Sequence, residues 1–110
     1  MPIVLDHTIV PAKDKLVSAK FFAEIFGLTV KPGEGHFTQV RVNDSLTFDF
    51  ADEPEPQSHH YAFHISEAEF EAIFSRVKAK NLPYGSAPYN HTDGQIYNRR
   101  GRRGFLLQRP

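Results

Sequence analysis

The sequence predicts one α+β domain over residues 1–110 in which the order β-α-β-β-β is used twice, over about residues 1–53 and about 57–110. Three observations carry this prediction. Strand-like and helix-like patterns follow in that order through the first half. An acidic, proline-bearing stretch, Asp52-Glu53-Pro54-Glu55-Pro56-Gln57-Ser58, then divides the chain. Beyond it the pattern restarts, with His60 placed 53 residues after His7. At that offset Val10 meets Phe63, Asp14 meets Glu67 and Ala19 meets Ala72, and one inserted residue brings Leu28 to Leu82. Two copies are too few for a stacked array, so the repeat reads as two modules paired about a pseudo-twofold axis.

Each element has a local reason. Ile3 to Val10 is rich in β-branched and apolar residues and stops at Pro11, which predicts a strand with Ile3, Leu5, His7 and Ile9 on one face. A helix is expected from about Asp14 to Phe26, with Ala19, Phe22 and Phe26 as its apolar stripe and Gly27 as a left-handed stop. A short extended piece, Thr29 to Lys31, leads through Pro32-Gly33-Glu34-Gly35 into alternating strands Phe37 to Val42 and Leu46 to Phe50 around Asn43-Asp44-Ser45. In the second half, His59 to Ile65 reads as a strand. Ser66-Glu67-Ala68-Glu69 is a capping box, and Phe70, Ile73, Phe74 and Val77 recur at helical spacing. Asn81 takes the left-handed role of Gly27, with Leu82 following it as Leu28 follows the glycine. Leu82 to Gly85 is a candidate strand, and Gln95 to Arg99 with Phe105 to Gln108 form either a hairpin around Arg100-Gly101-Arg102-Arg103-Gly104 or part of a larger set.

Composition narrows the function. An apolar content of 40% with ten Phe is enough for a core without staples, and the absence of Cys excludes disulfides, thiolate ligands and a cysteine nucleophile. Any metal is therefore held by His, carboxylate, amide or water. Thirteen basic and thirteen acidic residues cancel, so no global field draws the chain to nucleic acid or an anionic membrane. The start, Met1-Pro2-Ile3-Val4-Leu5-Asp6-His7, lacks a signal-peptide pattern, and no run reaches the roughly 18 apolar residues of a membrane span, so a cytoplasmic protein is expected. Gly33 and Gly35 precede no Gly-Lys-Ser or Gly-Lys-Thr, and there is no serine elbow or His-Glu-x-x-His motif.

The segments Leu5-Asp6-His7-Thr8-Ile9-Val10, Ala19-Lys20-Phe21-Phe22-Ala23-Glu24-Ile25-Phe26-Gly27-Leu28 and His60-Tyr61-Ala62-Phe63-His64-Ile65 resemble the pattern of the vicinal-oxygen-chelate superfamily, the glyoxalase, bleomycin-resistance and extradiol-dioxygenase group. The resemblance runs to about Asn98. It implies two βαβββ modules forming a cupped mixed sheet, a concave face that holds a divalent metal or a small molecule, and a homodimer. It also implies metal ligands on the first and last strands of each module, which here are His7, Asp49 and His60. The family's fourth ligand is a Glu on the closing strand. Residues 103–110 match either the strand before that position, leaving the second module without its closing strand, or the closing strand itself with Gln108 in place of Glu.

Each of these residues has a plainer alternative. Two imidazoles and a carboxylate suit Mn, Fe, Co, Ni or Zn and leave positions open for a substrate's vicinal oxygens. A strand His satisfied by hydrogen bonds, and an Asp on a solvated face between Phe48 and Phe50, account for the same residue types. His59 and His60 point to opposite faces, while His64 shares the face of His60 and is expected to line the substrate site. Tyr97 is a second candidate for substrate binding, with Tyr84 and Tyr89 as further aromatic neighbours or loop packing. Arg99, Arg100, Arg102 and Arg103 suit a phosphate or carboxylate, or simply form a solvated loop; His36 and His91 lie in turn-rich stretches and receive no role. Three functions remain open: a metal-dependent lyase, isomerase or dioxygenase acting on a small chelating substrate, a metal-free binding protein of the bleomycin-resistance kind that uses no cofactor, and a scaffold whose uncovered sheet edge a partner chain shields.

Overall fold

The computed structural model describes residues 3–32, 36–57, 59–87, 90, 92–99 and 102–108. The chain divides into two compact units, Met1–Ser58 and His59–Arg109. In the first unit, β1 (His7–Ala12), α1 (Lys15–Phe26), β2 (Val30–Pro32), β3 (Thr38–Arg41) and β4 (Thr47–Asp52) follow the predicted order. They build a mixed four-stranded sheet ordered β1-β4-β3-β2, in which β1 runs parallel to β4 and the other pairs are antiparallel. A parallel neighbour needs a crossover, and α1 supplies it.

Strand alternation sorts the side chains of this sheet. Thr8 and Val10 on β1, Thr38 and Val40 on β3, and Phe48 and Phe50 on β4 are register partners and share one face. That face receives α1: the Phe22 ring lies 4.5 Å from Phe26, 5.1 Å from Phe48 and 6.0 Å from Phe50. Val10, Ala12, Ala19, Ala23, Ile25, Val40, Phe48 and Phe50 are buried there. Burying each large side chain contributes about 1.5–3 kcal/mol, so this face carries much of the unit's stability. The helix stripe differs in detail from the predicted one. Ser18, Ala23 and Ile25 join Ala19 in full burial, while Phe22 and Phe26 stay partly open at its edge.

The helix ends are built by side chains. Asp14 caps α1 by accepting from the backbone N–H groups of Leu16 and Val17. Asp52, on the helix face of β4, accepts from the Lys15 N–H and ties the helix start to the sheet. Gly27 stops α1 at φ 71°, and Leu28 N–H closes back on the Ala23 carbonyl at 2.8 Å.

β1 begins later than predicted and runs through Pro11. Thr47 N–H bonds the Asp6 carbonyl, and Glu53 N–H bonds that of Ala12, so residues 6 and 12 turn their polar groups toward β4. Alternation then points the Pro11 nitrogen to the open edge of the sheet, where a missing N–H breaks no ladder bond.

The second unit contains α2 (Glu67–Ala79), β5 (Tyr97–Arg99) and β6 (Arg102–Gly104). Its helix start has the predicted reciprocal cap: Ser66 Oγ accepts from Glu69 N–H, and Glu69 accepts from Ser66 N–H. That bond from the Ser66 backbone holds the Glu69 carboxyl below the usual carboxylate range. At the other end Asn81 has φ 54°, and Leu82 N–H reaches the Val77 carbonyl at 3.1 Å, repeating the Gly27-Leu28 stop of α1. Phe70, Phe74, Tyr84 and Phe105 pack their rings 5.1 to 5.8 Å apart as an aromatic core, which gives Tyr84 a packing role.

Two expectations change in this unit. His59 to Ile65 forms no strand, since no backbone among the described residues completes a ladder with it. The predicted hairpin forms one segment earlier: Tyr97 pairs with Gly104 and Arg99 with Arg102, so part of the basic stretch is itself strand β6. The Tyr97 ring lies across Gly104, where an added Cβ would stand 2.2 Å from the ring, so this close approach requires glycine. Leu106 makes only an isolated bridge, to Gly85. Among the described residues no helix is long and apolar enough to cross a membrane.

Candidate functional site

The face of the first sheet turned away from α1 gathers the polar side chains. Register and alternation put His7 and Ile9 from β1, Gln39 and Arg41 from β3, and Thr47 and Asp49 from β4 on this face. The sequence arranges this through one turn. Asn43 Oδ1 accepts from the N–H groups of Ser45 and Leu46, both at 2.9 Å, and from Ser45 Oγ. Arg41 braces the same turn, donating to Thr47 Oγ1 at 3.2 Å and to the Asp44 carbonyl. The fixed turn sets the β3–β4 register, and that register seats Gln39 directly opposite Asp49.

Asp49 departs from the solvated-face expectation. It is only 7% exposed, although its strand neighbours Phe48 and Phe50 point to the other side. Its Oδ1 accepts from Gln39 Nε2 at 2.8 Å. No Lys or Arg pairs with it among the described residues. The covered Asp49 side chain therefore meets a neutral amide on the same sheet face as His7.

His7 is a diagonal neighbour of Asp49 on the same face and is exposed. Its Nδ1 lies 2.7 Å from Asp6 Oδ2. In the neutral imidazole this contact puts the hydrogen on Nδ1 and the lone pair on Nε2, while in the protonated ring both nitrogens donate. Metal-binding histidines are commonly oriented in this way, with the second ring nitrogen held by a carboxylate. The Asp6 hydrogen bond is the main cause that holds the His7 imidazole above its usual value; burial opposes it, and the charges of Asp6 and then Asp49 add to it. Asp6 and Gln39 were absent from the sequence-predicted set. Their signals were present: Asp6 adjoins His7, and Gln39 and Asp49 are equidistant from Asp44 in the turn.

The remaining candidates belong to the second unit. His60, Ala62 and His64 are exposed and alternate with half-buried Tyr61, Phe63 and Ile65, so His60 and His64 share the more open side of their segment. Tyr97 is half-buried across Gly104, and Gln108 is exposed outside any strand. Arg103 leaves the proposed anion cluster: it donates to Glu67 and Glu71 of α2, and its guanidinium lies 4.5 Å from the centre of the Phe70 ring. Arg102 is exposed, while Tyr89, His91 and Arg100 lie outside the described residues. His36 is exposed and offers its backbone carbonyl to Lys15 Nζ. Among the described residues no group of three or more His, Asp or Glu side chains gathers around one point. His7 and Asp49 share the sheet face of the first unit as diagonal neighbours.

Solved structures carry this same fold. The chain is 39% identical to a protein described as oxidase ChaP-H2, covering 100% of this chain and 87% of that one, with a TM-score of 0.93. The chain belongs to the vicinal-oxygen-chelate superfamily. A second protein described as an oxidase, ChaP-H1, is 35% identical over 99% of this chain and 89% of its own, with a TM-score of 0.91. A lactoylglutathione lyase from Agrobacterium tumefaciens, 16% identical with a TM-score of 0.65 over 99% and 87% of the two chains, shares the fold alone. No protein-family model and no curated protein matches this sequence.

The Asp6–His7 pair gives a pH prediction. Because His7 is raised in the folded chain, the pair favours folding below the ordinary imidazole range and loses that contribution as pH rises through the raised value. Asp6→Asn is expected to lower the His7 titration midpoint toward about 6.5, read by NMR of the ring resonances. An unchanged midpoint contradicts the assigned hydrogen bond.

Proposed function

We propose that this chain is a metal-dependent enzyme of an oxidative kind, acting on a small substrate that presents two neighbouring oxygens. The observation that carries the reading is that the covered Asp49 carboxylate shares one sheet face with the His7 imidazole, which Asp6 holds through Nδ1. The two relatives described as oxidases, at 39% and 35% identity over nearly the whole chain, support the oxidative branch over a lyase or isomerase. In this reading His7 and Asp49 hold a divalent ion of the Mn, Fe, Co, Ni or Zn kind, with His60 as a further ligand and Gln108 as a candidate for the remaining position. The ion supplies Lewis acidity toward the substrate's oxygens. The chain's own residues do the rest. Asp6 keeps the proton on Nδ1 of His7, Asp49 supplies negative charge, and His64 and Tyr97 orient the substrate.

A metal-free binding protein for a small, partly aromatic molecule is the second reading. It is supported by the described residues holding no group of three His, Asp or Glu side chains around one point, and by the fourth ligand that the resemblance implies, a Glu, being matched here either by Gln108 or by no strand. In both readings the chain works in the cytoplasm as a homodimer, for which the exposed apolar Ile3, Val4, Leu5 and Ile9 along the β1 edge provide the motive. Sedimentation velocity at micromolar concentration is expected to show a dimer, and a monomer contradicts it.

Metal content separates the two readings. Mass spectrometry of native and acid-released protein is expected to show near-stoichiometric metal that the His7→Ala, His60→Ala double variant loses. No metal, even after supplying Mn, Fe, Co, Ni or Zn, retires the enzyme in favour of a binder whose ligand affinity survives a chelator.

A further inference from the structure

We propose that Asp93-Gly94 is a latent backbone-isomerisation site that Ser86 holds shut. When this loop opens, the Asp93 side chain cyclises onto the Gly94 nitrogen and leaves an isoaspartyl link. The inference is independent of both functional readings above, because it concerns the backbone of the second unit and involves no ligand.

Glycine after aspartate offers this chemistry the least steric resistance, since no side chain crowds the attacking nitrogen. Gly94 has φ 68°, and an added Cβ there would meet nothing within 4 Å, so its surroundings do not obstruct the bond either. What restrains the pair is hydrogen bonding. Asp93 Oδ1 accepts from the N–H groups of Ser86 at 3.1 Å and of Gln95 at 2.9 Å, and Oδ2 accepts from Ser86 Oγ at 2.5 Å. The Gly94 N–H is itself committed to the Tyr84 carbonyl at 2.9 Å. Both reacting groups are therefore tied to one short segment, Tyr84 to Ser86. The Ser86 hydroxyl is the main cause that holds the Asp93 carboxyl below the usual carboxylate range; the Gln95 N–H comes next, burial opposes them, and the Ser86 N–H adds to the effect. Ring closure needs the neutral acid, so the bonds that fix the side chain also keep it in its unreactive form.

In the open loop the Gly94 nitrogen bonds to Asp93 Cγ, its proton is lost, and one carboxyl oxygen departs as water, which leaves a cyclic imide. Water then adds to either carbonyl of the ring. Opening at one restores the aspartate, and opening at the other routes the main chain through the side-chain carbons at unchanged mass. No oxidant, metal or cofactor enters. The lengthened backbone moves the Gly94 N–H away from the Tyr84 carbonyl. Tyr84 belongs to the aromatic core, 5.1 Å from the Phe74 ring and 5.8 Å from that of Phe105, and its neighbour Gly85 makes the bridge to Leu106. The link therefore keeps the loop from closing as before and records that the chain once opened there.

The test incubates the full-length chain at neutral pH, folded and in guanidinium chloride, and then isolates the tryptic peptide that Lys80 and Arg99 delimit. An isoaspartyl peptide separates from its parent by chromatography at identical mass, whereas deamidation of Asn81, Asn90 or Asn98 shifts the mass. The folded wild type is expected to keep aspartate at position 93 over a period in which the denatured chain converts measurably. Ser86→Ala, with its fold checked by circular dichroism, is expected to convert about tenfold faster than the folded wild type, the size of a lost hydrogen bond to a charged group, because the open loop is more populated. If Ser86→Ala does not fold, Ser86→Cys, a weaker donor, serves in its place. A folded wild type that converts as fast as the denatured chain overturns the proposal, and so does a folded Ser86 variant that converts no faster than the wild type.

Discussion

The alternation of Phe48, Asp49 and Phe50 on β4 is the constraint on which the first unit depends. β4 is a central strand with a parallel neighbour on one side and an antiparallel neighbour on the other, so its register is fixed twice. A slip of one residue would drive Asp49 into the aromatic packing with Phe22 and push both rings out of it. The same alternation that builds the core therefore delivers one carboxylate to the opposite face. Core and candidate site are two sides of one strand.

That coupling explains which parts of the protein were readable in the sequence. The β-α-β-β-β order, the Gly27 stop, the Ser66 cap and the left-handed Asn81 all rest on contacts a few residues apart, and all four are present in the structure. The extent of β1 was misread because Pro11 looks like a terminator until the pairing shows its nitrogen at an open edge. His59 to Ile65 has the composition of a strand, but a strand also needs a partner backbone, which local sequence cannot supply. For Asp49 the solvated-face alternative does not hold, since the side chain is covered. Alternation predicts direction, whereas burial depends on what lies around the side chain.

The second unit shows why charge runs make poor site predictors. The Arg99-to-Arg103 stretch suggested an anion site, yet Arg103 is drawn to two glutamates one helical turn apart on α2 and stacks on Phe70, so it fastens the hairpin to the helix. Tyr97, singled out for a substrate, is also placed by packing, since its ring occupies the space that Gly104 leaves. His60 and His64, by contrast, remain on the open side of a segment without ladder bonds. Histidines left there by strand-like alternation are better placed for binding than arginines already paired.

The metal reading turns on whether the covered Asp49 carboxylate serves a cation. Unfolding of wild-type and Asp49→Asn chains in urea, each with and without added Mn(II), tests it directly, because ligand binding to the folded state alone raises stability. Metal-free Asp49→Asn is predicted to be at least as stable as the metal-free wild type, since Asn keeps the shape and an oxygen acceptor for Gln39 while taking an ionisable group out of a covered position. Mn(II) is predicted to stabilise only the wild type. A metal-free variant that is clearly less stable than the wild type, with Mn(II) leaving both chains unchanged, would show that Asp49 serves the fold rather than a cation.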